Sequence, residues 1–426
     1  MSKSAKVLIG AFIAILWPCF SVHAENPLSK VKVAVLYENV TDGSIIGRSK
    51  AETSAILKDI QAGFIFRGFW KWEPVVESSD HIPQALHAII KEEGLQEAGG
   101  YDSKAVKNYR SLKEWIEGIK WENPSLIFCG ALPAQRLMRI ESDALTGRIF
   151  TGDETWALAL DPQKWKTVIR GKAVTKEQLQ ARLAGVEAKT FDRRQTGVYF
   201  PDMTNPDYRF LLEGFAKKQI DAGADAVWID GLLAQTKLFI EMTGDVRHPA
   251  VRESYLAAVK LVDDLHRYGA AKGKNILLGT WGQGEDDLSK LSPPLGLDFV
   301  TVSPSREDIE KGQLDVNKWL YKLAMINRNH GTVPILAFID WDGEDSPLAA
   351  FSQRLSTEKQ NKVLQTLDKD FSQVGVKFIY PVHGGFMGKN AKKRSFGKFL
   401  TYDSLAPQFG TFEAIKALAE EKTTAD

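Results

Sequence analysis

The stretch GADAVWIDG, residues 223–231, places an acidic residue at the end of a short apolar run. Residues 226–229 predict a strand covered on both faces, as in a parallel sheet. Gly231 then supplies a turn, and Asp230 stands between the strand and the turn. A strand that only fills a core could end at Ile229. Asp230 is therefore a candidate functional residue, although an aspartate before a glycine also serves as a turn residue.

Short β-rich runs of this kind recur along the chain and alternate with stretches of helical periodicity. The helical stretches place apolar residues three or four positions apart, for example over residues 208–222, which Pro206 precedes and Gly223 follows. A repeated order of strand then helix predicts a parallel sheet, either doubly wound or closed as a barrel. The candidate strands are residues 31–37, 64–70, 125–131, 197–200, 226–230, 276–281, 299–303, 335–340 and 377–382.

The fold predicted from this order is a (β/α)8 TIM barrel with an extra N-terminal strand and an inserted hairpin region. These runs are one too many for a barrel of eight strands. Residues 31–37 are assigned as the extra strand, and the barrel is expected to start at residues 64–70. The run 226–230 is then strand four, and residues 335–340 and 377–382 are strands seven and eight.

One catalytic-type domain is expected over residues 25–426, with decorations near residues 30–60 and 140–195. The stretch GRIFTGDETWALALDP, residues 147–162, breaks the rhythm of strand and helix. It predicts a hairpin or an inserted excursion, and the polar residues 187–195 predict a loop.

The first residues of the chain have the pattern of a secretory signal peptide. Two lysines precede an apolar run over residues 7–17, and small residues lead to an expected cleavage site after Ala24. The apolar run is too short to span a bilayer comfortably. We therefore expect removal of residues 1–24 and a secreted or periplasmic protein without stable membrane insertion. Cleavage would leave one cysteine, Cys129, so no internal disulfide is expected.

The distribution of charge argues against a nucleic-acid partner. The chain has 55 basic and 54 acidic residues, a net charge of +1, and the charges are scattered. His383 has no second histidine or cysteine at zinc-ligand spacing, and the acidic run DWDGED lacks the oxygen spacing of a calcium loop, so no metal site is predicted. The expected chemistry requires no cofactor, and the sequence does not indicate an oligomeric state.

Carboxylates and indole rings gather at the ends of the candidate strands. In a (β/α)8 barrel these C-terminal ends form the mouth where functional groups lie. Indole rings stack on the apolar faces of sugars, and cleavage of a glycosidic bond needs two carboxyl groups. The candidate catalytic residues are Asp230, Asp340 and Glu285, and the candidate substrate-binding residues are Trp70, Trp72, Asp202, Trp281, Trp341, Asp342, Tyr380 and His383.

The stretch NPDYRFLLEGFAKKQIDAGADAVWIDG, residues 205–231, resembles a segment of TIM-barrel glycoside hydrolases and their relatives. It has Asn-Pro, a helical stretch, and Gly-Ala-Asp before an apolar strand that ends in aspartate. The resemblance implies that Asp230 is a catalytic or substrate-contacting carboxylate. One large group of these hydrolases has glutamates on strands four and seven, with asparagine before the first, whereas Ile229 precedes Asp230 here. In other barrel hydrolases the strand-four aspartate is the nucleophile and the acid comes from a later loop, which would favour Glu285 or Glu307.

The predicted function is hydrolysis of glycosidic bonds in a poly- or oligosaccharide by an exported protein with paired carboxylates. Two alternatives remain open from the sequence. A non-catalytic carbohydrate-binding barrel would use the same carboxylates only to bind hydroxyl groups. A periplasmic solute-binding protein would have two doubly wound lobes and would begin with a strand such as residues 31–37.

Overall fold

Eight parallel strands close into a barrel in the computed structural model, which describes residues 26–41, 46–77, 107–169, 172–282, 288–339 and 345–424. The strands are β1 (Ala34–Tyr37), β2 (Phe64–Trp70), β3 (Ile127–Pro133), β4 (Leu137–Met138), β5 (Ile140–Ser142), β6 (Ile149–Thr151), β7 (Val168–Ile169), β8 (Lys172–Ala173), β9 (Val198–Tyr199), β10 (Ala226–Asp230), β11 (Leu277–Trp281), β12 (Phe299–Val302), β13 (Ile335–Ala337), β14 (Lys377–Phe386) and β15 (Thr401–Asp403). The barrel order is β1, β2, β3, β10, β11, β12, β13 and β14, and β14 pairs in parallel with β1 to close it. The predicted (β/α)8 barrel is confirmed.

Helices follow the barrel strands, and their ends form where the sequence supplies caps. The helices are α1 (Lys50–Asp59), α2 (Tyr109–Glu122), α3 (Asp153–Leu158), α4 (Lys176–Leu183), α5 (Pro206–Asp221), α6 (Ala234–Thr243), α7 (Pro249–Ala271), α8 (Arg306–Lys311), α9 (Val316–His330), α10 (Pro347–Ala349), α11 (Thr357–Gln373) and α12 (Phe412–Thr424). The Asn205 side chain accepts a hydrogen bond from the Asp207 N–H at the start of α5, and Pro206 occupies the first turn. Gly223 follows α5 with a φ of 112°, so the chain can turn directly into β10.

The core has two layers because side chains alternate along each strand. On β10, Ala226 and Trp228 point into the barrel, whereas Val227 and Ile229 pack outward against the helices. This alternation turns Asp230 toward the barrel interior, at the C-terminal end of its strand. The same interior layer contains the buried residues Ala34, Leu36, Phe64, Phe66, Trp70, Ile127, Cys129, Ala131, Leu277, Phe299, Leu336, Phe338 and Ile379.

The strand that lies outside the barrel differs from the one expected. Residues 34–37 are the first barrel strand, because β1 pairs in parallel with β2 on one side and with β14 on the other. The run 197–200 is the extra one, since β9 pairs antiparallel with β4 away from the barrel. The two differences offset each other, so β10, β13 and β14 are strands four, seven and eight as predicted.

The excursion after β3 contains a hairpin, but it begins earlier than the predicted stretch 147–162. Its strands β5 and β6 pair antiparallel over residues 140–151, whereas residues 153–158 form α3, and β7 pairs with β8 in a second short ribbon. The ion pair between Lys71 Nζ and Glu141 Oε2, 2.8 Å long and almost wholly buried, joins this excursion to the end of β2. Closure of the barrel contradicts the two-lobed solute-binding alternative. Among the described helices, none is long and apolar enough to cross a membrane.

Candidate functional site at the barrel mouth

Asp230 lies at the mouth of the barrel and is anchored by its backbone. Its carbonyl oxygen accepts a hydrogen bond of 2.7 Å from the Ala134 N–H, which ties the end of β10 to the end of β3. Gly231 then adopts a φ of 64°, in the left-handed region. A Cβ on Gly231 would also lie 2.6 Å from the Gln135 side chain. The Asp-Gly pair thus makes a tight turn that brings Gln135 close to the carboxyl group.

Two side-chain donors hold the Asp230 carboxyl group, one on each oxygen. Trp281 Nε1 donates to Oδ1 at 2.8 Å, and Gln135 Nε2 donates to Oδ2 at 3.1 Å. Asp230 is 8% exposed. Burial raises the pKa of this carboxyl group above its usual range, although the Trp281 hydrogen bond, the Arg67 charge and the Gln135 hydrogen bond each oppose the rise. Asp230 therefore holds a proton to higher pH than an exposed aspartate does.

Aromatic rings line the mouth beside Asp230. Trp72 stacks on Trp70 with centroids 5.2 Å apart, and Trp70 lies 5.6 Å from Trp228. Trp228 meets Trp281 edge-on at 5.5 Å, and Trp281 stacks on Phe338 at 5.2 Å. Trp72 and Trp281 are partly exposed, whereas the other three are buried. Two partly exposed indole rings thus lie above a buried aromatic floor.

Arg67 enters the mouth through an irregularity in β2. Ile65 pairs with Phe128 and Phe69 pairs with Gly130. Three residues of β2 therefore lie between the two paired positions, where β3 has only one. Arg67 has a φ of 56° in this bulge, a conformation that non-glycine residues rarely adopt.

The Arg67 side chain turns inward as a result. Its guanidinium carbon lies 4.6 Å from the Trp70 ring centroid, a cation–π distance. Its Nη2 donates to Glu38 Oε2 at 2.6 Å. An arginine in the middle of an apolar strand thus brings a positive charge to the barrel mouth.

Glu38 follows β1 and supplies a second carboxylate at this mouth. Besides the bond from Arg67, its Oε2 accepts the Gly385 N–H at 3.1 Å. Burial alone would raise the pKa of Glu38, but the Arg67 charge, the Gly385 N–H and further nearby charges together outweigh burial and hold the pKa below its usual range. The mouth therefore holds one carboxyl group with a raised pKa, Asp230, and one with a lowered pKa, Glu38.

The structure brings together Asp230, Trp70, Trp72 and Trp281 of the predicted site residues. Asp202 lies in the excursion, where its Oδ1 accepts hydrogen bonds from the Thr204 N–H at 2.9 Å and Gln235 Nε2 at 3.0 Å. These bonds fix the loop before α5, so Asp202 is a turn residue in this structure.

Tyr380 and His383, also predicted at the mouth, point to the other side of β14. Tyr380 is fully buried under the helices, 5.5 Å from the Phe378 ring centroid. His383 Nδ1 lies 2.7 Å from Asp403 Oδ2, and its ring packs on Tyr37 in the outer layer. Their placement follows from strand alternation, which turns Ile379 inward and Tyr380 outward. Asp340, Glu285, Trp341 and Asp342 lie outside the described residues.

Sequence reasoning missed Glu38, Arg67 and Gln135. Glu38 directly follows the run 31–37, and assigning this run as an extra strand removed it from the mouth. The signal for Arg67 was present, because a charged residue interrupts the apolar run of β2. Within the described residues, no three histidine, cysteine, aspartate or glutamate side chains form a group that could hold a metal ion.

Comparisons with known proteins give structural likeness without close sequence relatives. No family model matches the chain, and no curated protein matches it. Similar solved structures include an α-amylase from Anoxybacillus, with 12% identity and a TM-score of 0.49 over 92% of this chain and 79% of that one. A debranching enzyme from Nostoc punctiforme has 11% identity and a TM-score of 0.46 over 92% and 80% of the two chains. The glycoside hydrolase domain of a PelA variant from Pseudomonas aeruginosa has 14% identity and a TM-score of 0.39 over 82% and 95%. At these identities the likeness concerns the fold.

Proposed function

We propose that this protein hydrolyses glycosidic bonds of a poly- or oligosaccharide at the barrel mouth, with Asp230 as the proton donor. The observation that carries the proposal is a desolvated carboxyl group, with a raised pKa, beside two partly exposed indole rings. A leaving sugar oxygen must be protonated as its bond to the anomeric carbon breaks, and a carboxyl group with a raised pKa suits this role. The proposed reaction requires no cofactor.

The aromatic surface supports a sugar ligand in preference to an ion or a peptide. Sugar rings present C–H faces that stack on indole planes, and the partly exposed Trp281 offers such a plane. The guanidinium carbon of Arg136 lies 4.5 Å from the Trp72 ring centroid, and its Nε donates to the Trp72 carbonyl at 3.3 Å. Trp72 is thereby held in place between Trp70 and Arg136, so the ring borders the mouth in a fixed orientation.

The proposal is tested by turnover on a panel of poly- and oligosaccharides, measured as new reducing ends. We expect the wild-type protein to cleave at least one glycan, and Asp230→Asn to lower kcat by at least about 100-fold. Asp225→Asn is the matched control, because Asp225 precedes the same strand at its opposite end and pairs with Lys120 Nζ at 2.5 Å. The control should lower stability and keep turnover per folded molecule. Glycan binding without cleavage by the wild-type protein would instead identify a carbohydrate-binding barrel.

We also propose that the protein is exported and acts in the periplasm or outside the cell. The support is the leader pattern of residues 1–24, which lie outside the described residues. N-terminal sequencing of the protein recovered from the periplasm or the medium should begin at Glu25. Recovery of the intact N-terminus from the cytoplasm would refute export.

A further inference from the structure

Unusual backbone conformations converge on Glu38. Asn39 and Arg67 both have a φ of 56°, and Gly384 and Gly385 have φ values of 127° and 84°. A left-handed conformation is unfavourable for a non-glycine residue, and such conformations cluster at functional sites. All four residues lie beside Glu38, so the mouth is built around this side chain.

The contacts of these residues show how Glu38 is held. The Asn39 N–H donates to the Arg67 carbonyl at 3.1 Å, and Asn39 Oδ1 accepts the Trp70 N–H at 2.7 Å. These bonds tie the end of β1 to the bulge of β2. On the other side, a Cβ on Gly384 would lie 2.5 Å from the Glu38 Cβ, so only glycine allows β14 to approach this closely.

The two oxygens of Glu38 have different surroundings. Oε2 accepts both the Arg67 guanidinium and the Gly385 N–H, whereas Oε1 has no hydrogen-bond partner among the described residues. The side chain is 17% exposed. Glu38 therefore has one oxygen fixed by the protein and one oxygen open to a ligand or to water. Asp230 differs, because a side-chain donor holds each of its oxygens.

We propose, building on the proposed function, that Glu38 is the second catalytic carboxylate and that Arg67 is its positioning residue. Asp230 gives its proton to the glycosidic oxygen as the bond from that oxygen to the anomeric carbon breaks. Glu38 Oε1 takes a proton from a water molecule, and the water oxygen forms the new bond to the anomeric carbon. One water is consumed, two hydroxyl groups are formed, and the proton on Glu38 returns to Asp230 through solvent after product release.

The charge of Arg67 lowers the pKa of both carboxyl groups, and it contacts Glu38 directly. At Glu38 the Arg67 charge, the Gly385 N–H and further nearby charges together outweigh burial, whereas burial remains dominant at Asp230. A pair with pKa values pushed apart in this way can act as acid and base at the same pH. Glu38 follows strand one and Asp230 ends strand four, and these strands are not neighbours in the barrel.

A purely structural ion pair is the competing explanation, and the fold contains one for comparison. Lys71 and Glu141 form a buried pair with side-chain exposures of 3% and 2% in the excursion. Both oxygens of Glu141 accept hydrogen bonds, Oε2 from Lys71 and Oε1 from the Ser142 N–H. Glu141 has no oxygen open to a ligand, so Glu141→Gln is the matched control for Glu38→Gln.

The test uses two leaving groups on the sugar that the wild-type protein cleaves. A dinitrophenyl glycoside departs without protonation, whereas the natural glycan needs an acid. Asp230→Asn should therefore lose at least about 100-fold on the glycan and far less on the dinitrophenyl glycoside. Glu38→Gln should lose at least about 100-fold on both, and Glu141→Gln should keep turnover per folded molecule on both. If the wild-type protein cleaves neither substrate, the proposed function fails and this inference falls with it.

Three further readouts separate a catalytic from a structural Glu38. Formate should restore part of the turnover of Glu38→Ala, because a small carboxylate can occupy the site. Arg67→Gln should move the acidic limb of the pH profile to higher pH, since Glu38 loses the cation that favours its anion. NMR of the first product should show an inverted anomeric centre. The inference is overturned if Glu38→Gln retains wild-type turnover, if formate has no effect on a folded Glu38→Ala, or if the product keeps its configuration.

Discussion

Replacement of Trp281 by phenylalanine would test the environment of Asp230 with little disturbance to packing. The indole Nε1 donates to Asp230 Oδ1 at 2.8 Å, and the same ring stacks on Phe338 with centroids 5.2 Å apart. Trp281→Phe keeps an aromatic ring at the end of β11 and removes the donor. The change therefore acts mainly on the charged form of Asp230.

The expected shift follows from the strength of that hydrogen bond. A hydrogen bond to an ionised group contributes about 1.5–3 kcal/mol. Because 1.36 kcal/mol corresponds to one pKa unit, the pKa of Asp230 should rise by roughly one to two units in the variant. Burial already raises this pKa in the wild-type protein, and the indole N–H opposes the rise, so its loss adds to the effect of burial.

The assay is the pH dependence of kcat/KM on the natural glycan. If Asp230 is the proton donor, activity falls at high pH as Asp230 loses its proton, so the basic limb should move up by roughly one to two pH units in Trp281→Phe. Titration of the labelled aspartate carboxyl group by NMR should give the same shift in the free protein. A basic limb that stays in place, or that moves to lower pH, would contradict the assignment of Asp230 as a proton donor whose anion is stabilised by Trp281.

Three further predictions concern stability. Glu141→Gln leaves the buried Lys71 ammonium without its anion and should lower the free energy of unfolding by about 3–5 kcal/mol, measured by urea denaturation; no change would contradict a buried pair. Gly231→Ala introduces a Cβ 2.6 Å from Gln135 at a φ of 64° and should lower the free energy of unfolding by about 1–3 kcal/mol, measured in the same way; a more stable variant would contradict the strained turn. At Asp403, burial would raise the pKa, but the His383 hydrogen bond and nearby charges outweigh it and hold the pKa below its usual value. The ionised Asp403 therefore stabilises the fold above the unfolded pKa of about 3.9, and this stabilisation is lost as the pH falls through the lower folded pKa. Asp403→Asn should lower the free energy of unfolding at pH 7 and lower it much less at pH 2–3. An equal loss at both pH values would contradict a stabilising charge on Asp403.

The barrel and Asp230 could be predicted because both depend on local patterns. An apolar run that ends in Asp-Gly predicts a buried parallel strand with an acidic end, and the helix that ends at Asp221 predicts the crossover before it. Two strand assignments were wrong, but they offset each other. Residues 34–37 lie in the barrel and residues 198–199 lie outside it, so β10 remains strand four. The same apolar pattern recurs in each barrel strand because every strand of a parallel barrel is covered on both faces.

The rest of the site depends on contacts that the local pattern does not contain. Alternation along β2 points Arg67 outward, and only the bulge opposite β3 turns it into the mouth. Glu38 gains its role from β14, because Gly384 and Gly385 approach it across the closing seam of the barrel. The register of β14 also determines that Tyr380 points outward, since a shift of one residue along a strand exchanges its interior and exterior faces.

The most direct test of the proposed site is a crystal structure of Asp230→Asn with the oligosaccharide that the wild-type protein cleaves. We expect a sugar ring stacked on Trp281, with a glycosidic oxygen within about 3 Å of the side chain at position 230. A sugar bound elsewhere on the protein, with the mouth between Glu38 and Asp230 free of ligand, would refute the proposed site.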